Sequence, residues 1–207
     1  MPLPTRPGKI VCVGRNYVEH ARELGNEMPK EPLLFLKPPS SVIAGGDAIE
    51  LPQASARVEF EGEIGLVIGA RLRDAGEEEA VAAIRAIVAL NDVTARDLQR
   101  SDSQWTRAKG FDTFCPIGEP SASVPALDAI TVVTRVNGEE RQRGSSADMA
   151  FPMPMLLSYV SRIMTLEPGD VLATGTPAGV GPLADGDEVE VEVVGLSAVR
   201  NPVRRRA

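Results

Sequence analysis

The sequence has 207 residues, 43% hydrophobic and 25% charged, with a formal net charge of −7 and 4% aromatic residues. This composition is ordinary for a soluble globular chain, and the length fits one domain over residues 1–207. The acidic balance argues against nucleic acid or an anionic membrane as a main partner, and no apolar run is long enough to span a bilayer.

Residues 1–9 are proline-rich and lack the apolar stretch of a signal peptide. Cys12 and Cys115 sit beside apolar residues without metal or redox spacing and read as small buried hydrophobes, so a cytoplasmic location is expected. Lys9 to Gly14 reads as a strand. A helix follows, with Asn16 as N-cap, Glu19 completing a capping box and Gly25 as the stop. Tyr17, Ala21 and Leu24 should face inward, with His20 and Glu23 adjacent at i, i+3. Leu33 to Leu36 and Ala48 to Leu51 read as short strands, and Glu59 to Ile68 as a longer one. Glu77 to about Ala83 starts a helix with three acidic residues at its positive end. The run Ile84 to Leu90 suits either a helix continuation or a buried strand; a strand from about Ile87 is favoured.

Ala95 to Gln99 reads as a helical turn, and Ser101 to Pro120 as a long loop of the kind that carries function. Ile130 to Val136 and Glu139 to Gln142, joined at Asn137-Gly138, read as a β-hairpin. Pro154 to Met164 reads as an apolar helix and Val171 to Ala173 as a strand. Thr174 to Gly181 is a Gly/Thr/Pro loop, either a plain turn or an anion cradle. Asp187 to Val194 alternates as a half-exposed strand, and Leu196 to Val203 is the last strand. Arg204 to Arg206 read as a solvated basic end. About ten strands and three or four short helices make a β-rich α+β fold.

Chemistry concentrates at Glu59, Glu61 and Glu63. In a strand they project from one side, and carboxylates that lead into a buried run need a cation, a shared proton or full solvation. Glu188, Glu190 and Glu192 alternate with valines between polar turns and read as a solvated face. Glu61 and Glu63 run instead into the unbroken apolar stretch Ile64 to Ile68. Asp92 ends a second apolar run, so two strands together offer three hard oxygen ligands, suited to Mg2+ or Mn2+. With a single histidine and no cysteine pair, zinc is not expected. His20 is either a packed or surface helix residue or a general base oriented by Glu23. Lys109 is either a solvated loop lysine or, between Trp105 and Phe111, partly buried.

In order along the chain, Gly14-Arg15-Asn16-Tyr17 with His20 and Glu23, Phe35-Leu36-Lys37-Pro38, Glu61-x-Glu63, Asn91 to Gln99, Ala108 to Thr113 and Thr174 to Gly181 resemble the fumarylacetoacetate hydrolase family. The likeness is strongest to its short acylpyruvate hydrolase and oxaloacetate decarboxylase members. The resemblance implies a distorted mixed β-roll or sandwich with short peripheral helices, and a homodimer. It implies Glu61, Glu63 and Asp92 as ligands for Mg2+ or Mn2+, with Ca2+ as a further candidate. His20 and Glu23 match a water-activating dyad, and Lys109 a lysine that stabilises developing negative charge. Arg15, Arg96, Gln99 and Thr176 match positions near the substrate, a 2-oxo or 2,4-dioxo acid. The implied reaction is C–C hydrolysis of acylpyruvates through a pyruvate enolate, with oxaloacetate decarboxylation at the same site. Isomerisation or hydration of 2-hydroxy-dienoates is the alternative within the family, and non-catalytic binding of 2-oxo acids the alternative outside it. Glu59 becomes an outer or solvated carboxylate. Gly62 stands where a bulkier residue is frequent, and the extra N-terminal domain of larger members is not expected.

Overall fold

The computed structural model describes residues 6–23, 25 and 27–206. A mixed central sheet runs in the order Leu33–Lys37, Ile10–Gly14, Val171–Ala173, Gly62–Ile68, Ile84–Asn91. Ile10–Gly14 pairs in parallel with Val171–Ala173, and the other pairings are antiparallel. Gly62–Ile68 is buried at every position because the sheet is covered on both faces, which is why its sequence lacks alternation. On one face the helix Met153–Ile163 buries Leu156, Leu157 and Val160 in the same core as Ile64, Leu66 and Leu172. The other face packs Val67, Val88 and Val171 with the two buried cysteines.

A second five-stranded sheet runs Glu139–Ser145, Thr131–Val136, Glu188–Val193, Ser197–Arg205, Ile49–Leu51. Its hairpin turns at Asn137 and Gly138, whose φ values of 53° and 80° fit the predicted Asn-Gly turn. The result is the expected β-rich α+β architecture of small sheets with short peripheral helices. There are fifteen strands among the described residues, four of them two residues long, so the count exceeds the ten that hydrophobic pattern suggests. Among the described residues, no helix is long and apolar enough to cross a membrane.

Four local readings change. The Glu59 to Ile68 stretch is two strands: Val58–Phe60 pairs with Gly181–Pro182 and Thr94–Ala95, and Gly62–Ile68 belongs to the central sheet. The chain changes sheets at Glu61, so a single alternating face does not exist. The strand after the second helix begins at Ile84, because Ile84 itself pairs with Ile68. Asn16 is not a helix cap: its side chain donates to Thr174 O at 2.8 Å and Phe151 O at 3.1 Å and accepts from Phe151 N at 2.8 Å. The basic end is partly structured, since Ser197–Arg205 is a strand whose Arg204 and Arg205 pair with Glu50 and Leu51. Tyr17 and Ala21 are buried as expected, while Leu24 lies outside the described residues.

Gly62 acquires a steric reason. A Cβ there would stand 1.9 Å from Thr134 Oγ1 of the facing sheet. Gly62→Ala is therefore expected to destabilise by about 1–3 kcal/mol. Thr134 Oγ1 is buried and has no hydrogen-bond partner among the described residues, so Thr134→Ala sacrifices little. In thermal melts the double variant should regain most of the midpoint lost by Gly62→Ala; equal loss in both would remove this contact as the cause.

Candidate active site

Antiparallel pairing of Gly62 with Asn91 and Glu63 with Leu90 brings the ends of two buried strands side by side. Asp92 N–H donates to Glu61 O at 2.8 Å, and Asn91 Oδ1 accepts from Glu61 N–H at 3.0 Å, fixing the corner. Glu61, Glu63 and Asp92 thereby converge, with ligand oxygens within 4.8 Å of one another and all three side chains buried. Three clustered carboxylate oxygens without sulfur or imidazole fit a hard divalent cation such as Mg2+ or Mn2+.

Buried like charges at this spacing require compensation. Arg96 spans two of the acidic residues, with Nε donating to Glu59 Oε2 at 2.7 Å and Nη2 to Glu61 Oε1 at 2.6 Å, while Nη1 donates to Gln99. Glu59 is 2% exposed and also accepts from Arg57, so it is a buried support for Arg96 and not a solvated carboxylate. Lys109 Nζ donates to Glu61 Oε2 at 2.8 Å and Asp92 Oδ2 at 2.6 Å, and lies 4.9 Å from the Phe35 ring centroid. Lys37 Nζ donates to Asp92 Oδ1 at 2.6 Å and Val93 O at 3.1 Å.

Among the described residues, Glu63 has no ion-pair partner. Its Oε2 accepts the Gly175 N–H at 2.8 Å. Gly175 has φ +98°, and a Cβ there would meet Asn16 Cβ at 2.8 Å, so this close approach needs glycine. The Thr174 to Gly181 loop does bind anions with its backbone, but the anions are the chain's own carboxylates. Thr176 Oγ1 donates to Gly62 O at 2.9 Å and accepts from Gln142 Nε2 at 2.8 Å, and Gln142 Oε1 accepts from Gly62 N–H at 3.0 Å.

These environments separate the two glutamates. Burial by itself would raise the Glu61 carboxyl, but Lys109 and Arg96 outweigh it and hold it well below the usual carboxylate range. Burial, reinforced by Asp92 and Glu61, pushes Glu63 well above that range. Burial opposes the charge on Lys109, but Asp92 and Glu61 more than reverse it, so its ammonium form is favoured.

His20 is 4% exposed, and its Nδ1 lies 3.2 Å from Glu23 Oε2. Glu23 in turn accepts the Gly179 N–H at 3.0 and 3.2 Å. His20 and the three carboxylates line one cavity of about 290 Å3 with Arg15, Arg96, Gln99, Lys109 and Thr176. Phe35 and Trp105 form its apolar wall, ring edge to face at 5.3 Å. Arg15 adopts φ +58°, a conformation a non-glycine residue holds only at a cost.

Nine of the ten residues expected at the site line this cavity, and the tenth, Glu23, reaches it through His20. Sequence pattern gives no role to Lys37, Gln142 or Arg100. Lys37 lies within a motif but reads only as the end of a strand. Gln142 ends the second strand of the expected hairpin, and Arg100 directly follows the expected helical turn. The Phe35-Leu36-Lys37-Pro38 motif is the one signal in the sequence that points to Lys37.

A family profile described as fumarylacetoacetate (FAA) hydrolase C-terminal matches residues 9–204. The mitochondrial oxaloacetate tautomerase FAHD1 of Arabidopsis thaliana is 48% identical over 204 residues, covering 96% of this chain and 92% of that protein. The mitochondrial oxaloacetate decarboxylase of Dictyostelium discoideum is 43% identical over 195 residues, covering 91% and 89%. Among solved structures, 5-carboxymethyl-2-hydroxymuconate delta-isomerase from Mycobacterium smegmatis superposes with a TM-score of 0.91 at 41% identity, covering 99% of this chain and 82% of that one. With the profile spanning nearly the whole sequence and the fold shared along the same length, this chain belongs to the fumarylacetoacetate hydrolase family.

Proposed function

We propose that the chain is a divalent-metal-dependent hydrolase of acylpyruvates, 2,4-dioxo acids such as acetylpyruvate or fumarylpyruvate, yielding pyruvate and a carboxylic acid. The observation that carries this reading is His20, buried, held by Glu23 and lining the same cavity as Glu61, Glu63 and Asp92. Mg2+ or Mn2+ held by those three carboxylates would act as a Lewis acid on the 2-oxo acid end of the substrate. Glu23 orients the imidazole so that its other nitrogen takes a proton from water. That water adds to the distal carbonyl. Lys109, already committed to a cationic form, stabilises the oxyanion. The bond between the distal carbonyl carbon and the central methylene then breaks, its electron pair remaining on the methylene carbon. His20 returns the proton there, leaving pyruvate.

Anion recognition falls to other cations. The Arg96 donors are taken up by Glu59, Glu61 and Gln99, which makes Arg96 a support for the carboxylate cluster. Arg15 and Arg100 line the cavity and have no ion-pair partner among the described residues. Arg15 is assigned to the substrate carboxylate. Arg15→Gln is expected to raise KM about tenfold, the scale of one charge-assisted hydrogen bond, with a smaller change in kcat. A KM within twofold of wild type would remove it from that role.

A second reading is favoured by the relatives named for oxaloacetate tautomerisation and decarboxylation. Both reactions move a proton or carboxyl group at the carbon next to the 2-oxo group, and His20 and Lys109 line the cavity that would hold it. Assay of acetylpyruvate, fumarylpyruvate and oxaloacetate with Mg2+ or Mn2+ separates the readings. Pyruvate release from a 2,4-dioxo acid supports hydrolysis. Turnover of oxaloacetate alone transfers the assignment to the second reading, and no turnover of any of them rejects both.

A further inference from the structure

We infer that Lys109 is a tethered cation that competes with the divalent metal for Glu61 and Asp92, so that metal loading is weak until an anionic 2-oxo acid joins it. The inference rests on the metal-binding part of the proposed function and goes beyond it.

The charge balance leads there. Glu59, Glu61 and Asp92 bring three negative charges, and Lys37, Lys109 and Arg96 contact them with three positive ones. These three carboxylates are therefore already balanced by the chain's own cations, and Glu63 adds at most one further negative charge, so a divalent cation would leave the cluster positive. One of the three cations has to yield or an anion has to arrive.

Lys109 is the one built to yield. Arg96 is fixed on both sides by Glu59 and Gln99. Lys37 is fixed by Val93 O as well as by Asp92 and is not among the residues lining the cavity. Lys109 does line it, touches two of the three carboxylates, and among the described residues has only those carboxylates as hydrogen-bond acceptors of its ammonium. Its ammonium sits on a flexible four-carbon stem beside the Phe35 ring, which offers a cation a resting place away from the oxygens. A bound carboxylate in the cavity gives the displaced ammonium a new partner. Metal and anion then strengthen each other by the same factor, as linkage requires.

The test is Mn2+ binding to chelator-treated protein, measured by calorimetry with and without oxalate as the anionic probe. Removing one unit charge a few Å from a bound cation, at an intermediate dielectric, is expected to tighten Mn2+ binding by Lys109→Met about tenfold or more. Lys109→Arg should stay near wild type, and oxalate should tighten the wild type by more than it tightens Lys109→Met. Equal or weaker Mn2+ binding by Lys109→Met, or no binding by either protein, overturns the inference.

Should Lys109→Met not fold, the wild type answers alone. With side-chain-labelled lysine, only four signals exist in this sequence. Titration with diamagnetic Mg2+ in the presence of oxalate should move the Lys109 resonance more than that of Lys37. An unmoved Lys109 signal on a titrated protein refutes the displacement. None of these readouts is turnover, so a failed hydrolase assay and a failed competition test are separate results.

Discussion

His20→Ala is expected to lower kcat for acylpyruvate hydrolysis by about 10²- to 10⁴-fold, the range a positioned general base contributes. Its Mn2+ affinity should stay within about threefold of wild type, because His20 is not one of the three clustered carboxylates. The split matters because a merely structural histidine would affect folding and metal binding together with turnover. Glu23→Gln is the companion variant. Gln retains an oxygen for the Gly179 N–H and for the imidazole, but loses the carboxylate charge beside the ring. Its kcat should fall less than that of His20→Ala. Exogenous imidazole should partly restore His20→Ala, since the cavity left by the ring opens onto the substrate space. His20→Ala hydrolysing acetylpyruvate at a near wild-type rate would remove the dyad from the mechanism. Loss of hydrolysis with retained oxaloacetate turnover would instead assign His20 to water activation alone.

The parts of this site that are legible in the sequence share one property: their meaning is carried by near neighbours along the chain. Glu61 and Glu63 precede an unbroken apolar run, Asp92 ends another, and His20 and Glu23 sit one helical turn apart. Local pattern is enough to place each of these at a strand end or on a helix face. What is illegible depends on partners far along the chain. Lys37 owes its burial to Asp92, 55 positions away. Gln142 ends a predicted hairpin strand with nothing local to mark it, yet it is 1% exposed because it ties Gly62 to the Thr174 loop. Asn16 satisfies every local rule for a helix cap, but its side chain instead joins segments 135 and 158 positions away. The two-sheet split at Glu61 is of the same kind. A period-2 pattern specifies which faces alternate within a strand and is silent about a change of partner strands in its middle. The family motifs bridge part of this gap, since Lys37 and Asn16 both lie within them, although the motif alone does not say what each side chain holds.

Replacing the carboxylates one at a time is expected to give the same loss of function with opposite effects on the fold. Glu61→Gln and Glu63→Gln should each abolish measurable Mn2+ binding and turnover, because each removes one of three ligand oxygens. Their metal-free stabilities should diverge. Glu61 holds two buried cations, so its neutralisation strands Arg96 and Lys109 and costs about 3–5 kcal/mol, the cost of breaking a buried pair. For a chain of this size that is a fall in melting temperature on the order of 10 °C. Among the described residues, Glu63 pairs with no cation and accepts only a backbone N–H, a bond that Gln preserves. Its carboxyl lies above the usual range, so it opposes folding near neutral pH, where the unfolded glutamate is ionised. The sign follows: a carboxyl that binds its proton more tightly when folded destabilises the fold above its unfolded pKa. Glu63→Gln should therefore melt at or above the wild-type temperature without metal at pH 7, and lose that advantage as pH falls toward the range where an unfolded glutamate titrates. Glu59→Ala completes the comparison. It deprives Arg96 of one partner and Arg57 of its own, so it should cost stability while keeping most of the Mn2+ affinity. Calorimetric melts of metal-free protein beside Mn2+ titrations read both axes at once. Parallel stability losses in Glu61→Gln and Glu63→Gln would mean that the two glutamates share their cations, against the pairing described above. Metal affinity lost equally in Glu59→Ala would extend the ligand set to all three glutamates of the strand end.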